Sequence, residues 1–256
     1  MSSIYPLSFS LITVVFNRVL IVRGSMESLY AQTYRGWRHV VVDGASTDGT
    51  LAVVNSFPGE QSVLISEPDN GIYDALNKGM RLSTGEIIGV LHSDDFLADA
   101  DVLKDVADAF ADPTVDAVYG DLVYVSSSDP SRVVRYWRSC AFHPGLLVRG
   151  WMPPHPALFL RRRVVEAVGL YDTSFRIAAD YDYILRCFSR PGFKAVHLPR
   201  VLVRMRLGGA SNRSLTRILR KSREDLRALR KNRIGGWGAL LLKNLSKLGQ
   251  FSVFHR

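Results

Sequence analysis

The sequence predicts an α/β fold in which helices flank a mostly parallel central sheet, and three observations lead to this prediction. Short apolar runs alternate with segments of helical spacing through the first half of the chain, as they do in βαβ units. The first run, FSLITVVF, is continuous and β-branched, which is typical of a strand buried on both faces. Two runs end in acidic residues, Asp43 and Asp95, at the position where open parallel sheets bind ligands.

The first half of the chain contains four predicted strands and three predicted helices. The strands are expected at residues 9–16, 37–43, 62–66 and 86–91. The helices are expected between them, at residues 20–32, 50–57 and 74–82. Because a helix separates most of these strands, the strands are predicted to pair in parallel.

The rhythm changes after about residue 116. Runs at 116–125 and 132–137 flank a Ser/Asp/Pro turn and predict a β-hairpin. A further strand is predicted at 157–160, and helices at 161–168 and 180–189. No linker or repeat interrupts residues 1–211, which are therefore predicted to form one domain, followed by a tail of residues 212–256.

The net charge of +9 is distributed unevenly along the chain. Residues 1–130 carry 7 Lys/Arg against 18 Asp/Glu, whereas residues 131–256 carry 26 against 6. Such a division indicates that the acidic first half binds cations and that the basic second half binds an anionic partner.

Missing motifs exclude several classes of protein. No GxGxxG follows the first strand and no GxxxxGK[ST] occurs, which argues against a dinucleotide-binding dehydrogenase and a P-loop nucleotidase. The two cysteines, Cys140 and Cys187, are too few for a disulfide framework or a Cys-rich zinc site. No apolar run reaches the ~18 residues of a membrane-spanning helix, and the N-terminal run lacks the basic start of a signal peptide. The protein is therefore expected in the cytoplasm.

The stretch VLHSDDFL sets two carboxylates, Asp94 and Asp95, side by side at the end of an apolar strand. Adjacent carboxylates repel, and burial of either costs several kcal/mol unless it is neutralised. A solvated turn is one explanation. The other is a divalent cation, Mn²⁺ or Mg²⁺, held by one or two carboxylates together with phosphate oxygens of a nucleotide.

Five motifs, taken in order, resemble those of the family 2 inverting glycosyltransferases. They are ITVVFN, VVDGASTDGT, DNGIYDALNKG with TGEIIGVLHSDD, AADYDYILR and RLGGAS. The resemblance covers about residues 8–212. It implies a GT-A fold, with a Rossmann-like sheet that binds a nucleotide sugar, and an enzyme of bacterial polysaccharide or lipopolysaccharide synthesis.

On the donor side, the resemblance implies roles for seven residues. Asp43 would hydrogen-bond the nucleotide base, in a pocket lined by Phe16 and Asn17. Asp95 would hold the metal, and Asp94 would lie near the ribose or a metal-bound water. The donor-side loop and helix would contribute Asp69 and Asn77. Without the resemblance, the alternative for Asp43 is a place in an Asx turn. The alternative for the segment of Asp69 and Asn77 is a turn followed by a surface helix.

On the acceptor side, the resemblance implies that Asp180 is the catalytic base. Asp182 is a rival for that role, although it is expected to face away and to charge the start of its helix. His155 would lie near the acceptor, with a buried structural histidine as the alternative. Arg204 and Arg206 are expected in a loop, continued by residues 208–211, that closes over the diphosphate.

The tail carries 12 Lys/Arg against 2 acidic residues. Leu215, Ile218, Leu219, Leu226 and Leu229 form an apolar stripe on its first helix, and a second, more apolar helix follows. Such helices bind anionic membrane surfaces, so a peripheral position at the inner face of the cell membrane is predicted. The alternative is a tail packed on the domain. Nucleic acid is not expected as a partner.

Together these features predict a metal-dependent, hexosyl-type inverting glycosyltransferase. Its donor would be a nucleotide diphosphate sugar, with a UDP-sugar favoured, and its acceptor a hydroxyl of a lipid-linked glycan. Two alternatives stay open: a catalytically inactive membrane-bound module of the same fold, and a nucleotidyltransferase, which would need a basic phosphate loop after the first strand.

Overall fold

A computed structural model describes residues 5–207 and 215–246 of the chain. The described residues form nine strands and eight α-helices. The strands are β1 (Phe9–Val15), β2 (Trp37–Asp43), β3 (Ser62–Ser66), β4 (Ile87–Val90), β5 (Asp95–Leu97), β6 (Ala117–Val125), β7 (Val133–Trp137), β8 (Leu158–Arg161) and β9 (Ala195–Arg206). The helices are α1 (Val22–Tyr30), α2 (Thr50–Asn55), α3 (Ile72–Leu82), α4 (Val102–Ala109), α5 (Arg162–Val168), α6 (Ala179–Phe188), α7 (Leu215–Lys231) and α8 (Trp237–Ser246).

The first four strands form a parallel unit in the order β3-β2-β1-β4, as predicted. All seven residues of β1 are buried, which is why its sequence is continuously apolar or small rather than alternating. The register pairs Val15 with Asp43, so β1 and β2 end side by side. The carboxyl ends of these strands therefore open into one crevice.

The second half of the chain extends the same sheet with antiparallel pairs. β8 lies against β4, and the sheet continues through β6 and β9 to β5. The predicted hairpin is confirmed, because β7 pairs antiparallel with β6. β9 runs parallel to β6 and antiparallel to β5, which brings the distant segments 95–97 and 195–206 together. The predicted α/β fold class is confirmed.

Three elements were not predicted from the sequence: β5, α4 and β9. β5 is only three residues long and begins on a carboxylate, so it lacks the apolar run by which a strand is recognised. β9 contains Pro199 and basic residues, and its register against β6 shifts near Gly120. Such a strand shows neither a continuous apolar run nor a regular alternation.

Two large apolar clusters cover the two faces of the sheet. One contains α3, α5 and α6, and the other contains α1 and α4. Helix α3 lies so close to β1 that a Cβ on Gly79 would stand 2.4 Å from Cγ2 of Ile12. This close approach fixes the start of α3 and the loop before it relative to the strand ends.

Helices α7 and α8 pack on the domain with one face and expose the other. Leu226 and Leu229 of α7 are buried in the same cluster as α6, whereas Ile218 and Leu219 are more than half exposed. The apolar stripe predicted on this helix is therefore divided between the core and the surface. The predicted boundary at residue 211 lies among residues 208–214, outside the described residues, and stays a prediction. No helix in the described ranges is long and apolar enough to cross a membrane.

Candidate active site

The candidate site lies at the carboxyl ends of β1, β2 and β4. Asn17 follows β1, Asp43 ends β2, and Asp94 and Asp95 follow β4. Helix α6 contributes Asp180 from its first turn. The strand ends meet at one edge of the sheet because these strands run parallel, so residues that are far apart in sequence meet in space.

Asp43 is completely buried, and its two carboxylate oxygens have different surroundings. Oδ2 accepts hydrogen bonds from the Ser46 backbone N–H, at 2.9 Å, and from the Ser66 hydroxyl, at 2.7 Å. Oδ1 has no hydrogen-bond partner among the described residues. The Asx turn, which was the alternative explanation for Asp43, thus uses only one of the two oxygens, Oδ2. The other is available for an N–H donor of a bound ligand.

Asn17, which has a positive φ of 50°, holds the loop beside Asp43 through two hydrogen bonds. Its side-chain oxygen accepts a hydrogen bond from the Thr47 N–H at 3.0 Å, and its own N–H donates to the Ser46 hydroxyl at 2.8 Å. The structure therefore shows Asn17 shaping the pocket by joining two loops. Phe16, by contrast, is 57% exposed at the mouth of the crevice.

Gly44 allows Asp69 to approach this pocket. The sequence analysis named Asp69 but did not identify the role of Gly44. A Cβ at position 44 would lie 2.5 Å from Oδ2 of Asp69 and 3.3 Å from the ring of Phe16. Asp69 is itself oriented, because its Oδ1 accepts the Gly71 N–H at 2.8 Å. Asp69 and Phe16 thus both lie close to the backbone at Gly44, next to Asp43, and only a glycine allows the approach of Asp69.

Asn77 lies apart from this group. It is buried on α3, where its amide donates to the Tyr171 carbonyl at 3.0 Å and accepts the Tyr171 N–H at 2.8 Å. These bonds join α3 to the segment before α6. The structure shows Asn77 in this packing role, and donor contact by Asn77 stays a prediction.

Asp95 is completely buried, and neither of its oxygens has a hydrogen-bond partner among the described residues. Burial raises the pKa of this carboxyl well above 3.8; the charge of Asp94 adds to the rise, and Arg206 opposes it. An unsatisfied buried carboxylate is costly, and a cation at its two oxygens would offset that cost. The residue present thus fits the expected divalent metal.

No group of three or more His, Cys, Asp or Glu in the described part of the chain forms a complete metal cage. A cation at Asp95 would therefore take further ligands from a bound molecule or water. Mg²⁺ is commonly held in this way, by one or two carboxylates together with the phosphates of a substrate.

Asp180 is half-buried at the start of α6, and two neighbours orient it. Its Oδ1 accepts the Tyr181 N–H at 2.8 Å. The Tyr73 hydroxyl lies 3.4 Å from the same oxygen and donates a 2.7 Å hydrogen bond to the Ile177 carbonyl. Burial, with the Asp180 charge, raises the pKa of Tyr73, so this hydroxyl keeps its proton.

Asp182, the rival of Asp180, has no exposure to solvent. One of its oxygens pairs with Arg186 at 2.9 Å, and the carboxylate also contacts Lys231 and Asn232 of the C-terminal helix region. The carboxylate is therefore engaged within the fold, and Asp180 is the one that faces the crevice.

His155 is buried and shares a 2.7 Å hydrogen bond with the Tyr171 hydroxyl. Its ring lies 5.9 Å from that of His92. Burial lowers the pKa of His92 to about 4, His155 adds to this, and Asp180 opposes it. Burial likewise lowers the pKa of His155, opposed by Asp180. Both histidines are therefore neutral near pH 7, and both are within electrostatic range of Asp180. Of these, the sequence analysis found only His155, although His92 belongs to the same motif as Asp95.

Tyr124 connects Asp95 with Asp180. Its pKa is raised by burial, and Asp95 and Asp180 both add to the rise, while Arg135 opposes it. One side chain is thus within electrostatic range of both carboxylates. Two carboxylates from segments 85 residues apart, the proposed metal ligand and the proposed base, thus lie in the surroundings of one side chain.

Arg204 and Arg206 lie on β9, and the prediction that they belong to a loop is wrong. Both guanidinium groups turn toward the hairpin, Arg204 to the Pro130 carbonyl at 2.6 Å and Arg206 to the Ser127 carbonyl at 3.1 Å. Arg206 also stacks on Phe96, 4.9 Å from the ring centroid. The pairing with β5 and β6 draws these residues into the sheet. Residues 208–211, the rest of the expected loop, are outside the described residues.

Comparison with known proteins supports this picture. The glycosyl transferase family 2 profile matches residues 10–169. A PGL/p-HBAD biosynthesis glycosyltransferase of Mycobacterium bovis is 34% identical over 211 residues, 80% of this chain and 79% of the relative. An uncharacterised glycosyltransferase of Mycobacterium tuberculosis is 31% identical over 69% of this chain and 67% of its own length.

Two solved structures share the fold. A mannosyltransferase of Pyrobaculum calidifontis, in complex with GDP-Man and Mn²⁺, has a TM-score of 0.65 and 23% identity. The match covers 89% of this chain and 64% of the mannosyltransferase chain. S. aureus TarS in complex with UDP-GlcNAc has a TM-score of 0.68 and 15% identity, over 88% of this chain and 65% of the TarS chain. At such identity the likeness shows the fold alone, which is the GT-A fold that the motifs implied.

The buried carboxylate of Asp95 leads to a prediction about stability. We expect Asp95→Asn to raise the free energy of unfolding of the metal-free protein at pH 8 by roughly 1–3 kcal/mol, because the amide is neutral without binding a proton, whereas the buried carboxyl must bind one or stay charged beside Asp94. Because the pKa of the Asp95 carboxyl is higher in the folded than in the unfolded protein, the wild type becomes less stable as the pH rises above about 4. The Asp95→Asn variant has no such group, so this part of the pH dependence is absent from it.

Urea unfolding of both proteins in a chelator, at pH 5 and pH 8, measures the difference. Asp108→Asn, in the exposed pair with Lys104, is the control and is expected to change stability by less than about 0.5 kcal/mol. A loss of stability in Asp95→Asn at pH 8 would contradict this account of the site.

Proposed function

The chain belongs to glycosyl transferase family 2, and from this premise we propose that it is an inverting, metal-dependent enzyme that transfers a sugar from a nucleotide diphosphate to a hydroxyl acceptor. One observation carries the proposal. Among the described residues, buried carboxylate oxygens without partners occur at both Asp43, at the end of β2, and Asp95, just after β4, and the partly exposed Asp180 is within electrostatic range of a residue that Asp95 also influences, Tyr124. A nucleotide base, a diphosphate with its cation and an acceptor hydroxyl would occupy these three positions in turn.

The donor end of the crevice would bind the nucleotide. Oδ1 of Asp43 would accept an N–H of the base, and the exposed ring of Phe16 would stack on the base. Asp69, held close by Gly44, would border the same pocket. The P. calidifontis mannosyltransferase was solved with GDP-Man and TarS with UDP-GlcNAc, which supports a nucleotide sugar as the donor class.

The diphosphate would lie at Asp95. When bound there, Mn²⁺ or Mg²⁺ supplies positive charge that stabilises the departing diphosphate. Asp94, which is partly exposed beside Asp95, would contact the ribose or the hydration shell of the cation. The Mn²⁺ in the complex of the mannosyltransferase supports the choice of a divalent cation.

Asp180 would act as the base on the opposite face of the sugar. The acceptor oxygen forms the new bond to the anomeric carbon as its proton passes to the Asp180 carboxylate, and the bond from the anomeric carbon to the diphosphate oxygen breaks. The diphosphate leaves with the electron pair. Because attack and departure occur on opposite faces, the anomeric configuration is inverted. Tyr73 and the Tyr181 N–H hold the Asp180 carboxylate in place.

Donor hydrolysis, in which water takes the place of the acceptor, tests this assignment. We expect one nucleotide sugar from a panel of UDP- and GDP-sugars to be hydrolysed only with Mn²⁺ or Mg²⁺. Asp180→Asn is expected to lower kcat about 10²- to 10⁴-fold, the usual contribution of general base catalysis, and to leave nucleotide affinity unchanged. Glu166→Gln, on the exposed face of α5, is the control.

Tight nucleotide binding without any turnover would instead support a catalytically inactive module of the same fold. Equal kcat in the wild type and Asp180→Asn would remove Asp180 from the mechanism.

The outer faces of α7 and α8 would bind an anionic membrane surface, which supports a lipid-linked glycan as the acceptor. Exposed apolar side chains occur on both helices, with basic side chains beside them. The apolar ones are Ile218, Leu219, Trp237, Leu241, Leu242 and Leu245. A groove between the helices is lined by Arg223, Leu226, Arg227, Arg230, Lys231 and Trp237. Apolar insertion combined with Lys/Arg attraction to anionic lipid is the usual basis of peripheral membrane binding.

Vesicle flotation tests the membrane surface. We expect the protein to float with vesicles containing phosphatidylglycerol, but not with neutral vesicles, and we expect Leu241→Glu to weaken binding at least about tenfold, because it removes apolar area and adds a repelled charge. Leu20→Glu is the matched control, because Leu20 is 92% exposed and belongs to the segment between β1 and α1, outside α7 and α8. Equal flotation of Leu241→Glu and the wild type would show that these helices do not bind the vesicles.

A further inference from the structure

Helix α7 holds the backbone in front of the helix that carries Asp180. The Glu224 carboxylate accepts hydrogen bonds from three consecutive backbone N–H groups, those of Arg176, Ile177 and Ala178. The distances to Oε2 are 3.1, 2.8 and 3.0 Å, and Oε1 lies 3.2 Å from the first of these nitrogens. A single side chain from the C-terminal region thus satisfies three donors that precede the first turn of α6.

Ile177 is held from two sides. Glu224 accepts its N–H, and the Tyr73 hydroxyl donates to its carbonyl at 2.7 Å. The same Tyr73 hydroxyl lies 3.4 Å from Oδ1 of Asp180. The position of the Asp180 carboxylate therefore depends on a short chain of contacts that begins at Glu224, passes through the backbone of Ile177 and ends at Tyr73.

Electrostatics favour this arrangement. The N-terminal end of a helix carries a partial positive charge, so a carboxylate there is stabilised, and hydrogen bonds to an ionised acceptor are stronger than neutral ones. Asp180 itself lies in the first turn, where it uses one oxygen for the Tyr181 N–H. Glu224 supplies negative charge to the N–H groups that Asp180 does not reach, which leaves the Asp180 carboxylate oriented toward the crevice.

A second contact fixes the two helices against each other. Asn232 donates to Oδ1 of Asp182 at 3.0 Å, and Lys231 approaches the same carboxylate at 3.1 Å. Between these polar contacts, Leu226 and Leu229 are buried in the cluster that includes α6. The C-terminal half of α7 is therefore packed against the domain beside α6, and Glu224 is one of several fixed points of this interface.

We propose that Glu224 is a positioning residue for the base Asp180, so that the C-terminal helix is part of the catalytic apparatus as well as the membrane-facing surface. This inference rests on the proposed function, because it assumes that Asp180 is the base. It assigns a role in the reaction to a segment that lies outside the motifs of the family and outside the matched residues 10–169.

The test compares Glu224→Ala, Glu224→Gln and Asp225→Asn in the full chain. We expect Glu224→Ala to lower kcat for donor hydrolysis on the order of 10- to 100-fold, as small misplacements of a catalytic group do, with an unchanged donor KM and unchanged calorimetric nucleotide affinity. Glu224→Gln keeps an acceptor oxygen without the charge, so its kcat should lie between those of Glu224→Ala and the wild type.

Asp225→Asn separates positioning from loss of stability. Asp225 is on the same helix but pairs with Lys243 of α8, at 2.8 Å, and both side chains are buried. Its loss should lower the urea midpoint at least as much as the loss of Glu224, yet leave kcat within about twofold of the wild type. A kcat in Asp225→Asn as low as that of Glu224→Ala would show that only general stability is involved.

Hydrogen exchange provides a readout that does not depend on turnover. In Glu224→Ala, the amides of residues 176–181 should exchange faster than in the wild type, while those of β1 and β2 stay unchanged. Equal kcat in Glu224→Ala and an active wild type would overturn this inference alone. A wild type that hydrolyses no donor under any condition would refute the proposed function and, with it, the catalytic role of Glu224.

Discussion

The structure buries the carboxyl group of Asp95 away from solvent, with the Arg206 backbone N–H nearby but neither oxygen in a well-formed hydrogen bond within the described part of the chain, and the arrangement of the crevice follows from that constraint. A buried carboxylate without partners lowers stability unless a cation or a proton compensates it. Asp95 follows the parallel strand β4 through a short turn and begins β5, which pairs with β9 opposite Met205. Lower local stability of this kind is common at functional sites of proteins.

The same logic applies at Asp43, where one oxygen shapes the turn and the other is left without a partner. Neither residue can be explained by packing alone, because packing would favour an apolar side chain at both places. The two positions lie on the same sheet edge, and Asp180 closes the crevice from α6. A ligand with an N–H donor, a diphosphate and a reactive sugar would meet complementary groups in that order, which is why a nucleotide sugar fits the crevice better than a simple anion.

The first half of the sheet and the main carboxylates were predictable from sequence because local signals agree there. β1 is a continuous run of apolar or small residues followed by Asn17, and β2 contains the apolar run of residues 40–42 followed by Asp43, so the local sequence pattern is enough to place them. β9 was not predictable, since its pairing with β6 depends on contacts about 80 residues away and its sequence contains Pro199. The misplacement of Arg204 and Arg206 in a loop is a direct consequence of missing that strand.

The roles of Gly44 and Glu224 were hidden for a different reason. Each acts through one close contact, with Asp69 in the first case and with the backbone of Ile177 in the second, and no sequence pattern records such a contact. The amphipathic pattern of α7 was recognised, with a membrane surface and packing on the domain as alternative partners. The structure divides it, since Leu226 and Leu229 pack on the domain and Ile218 and Leu219 stay exposed. One helix can therefore serve the active site on one face and a surface on the other.

The central claim is that Asp95 shares a divalent cation with the diphosphate of the donor. Crystals grown with Mn²⁺ and with UDP or GDP, whichever binds, test it most directly through the anomalous scattering of the metal. The account predicts one Mn²⁺ peak within about 2.0–2.3 Å of an Asp95 oxygen and of at least one oxygen of each phosphate. A nucleotide bound with its diphosphate away from Asp95, or a Mn²⁺ peak held by other residues, would contradict it.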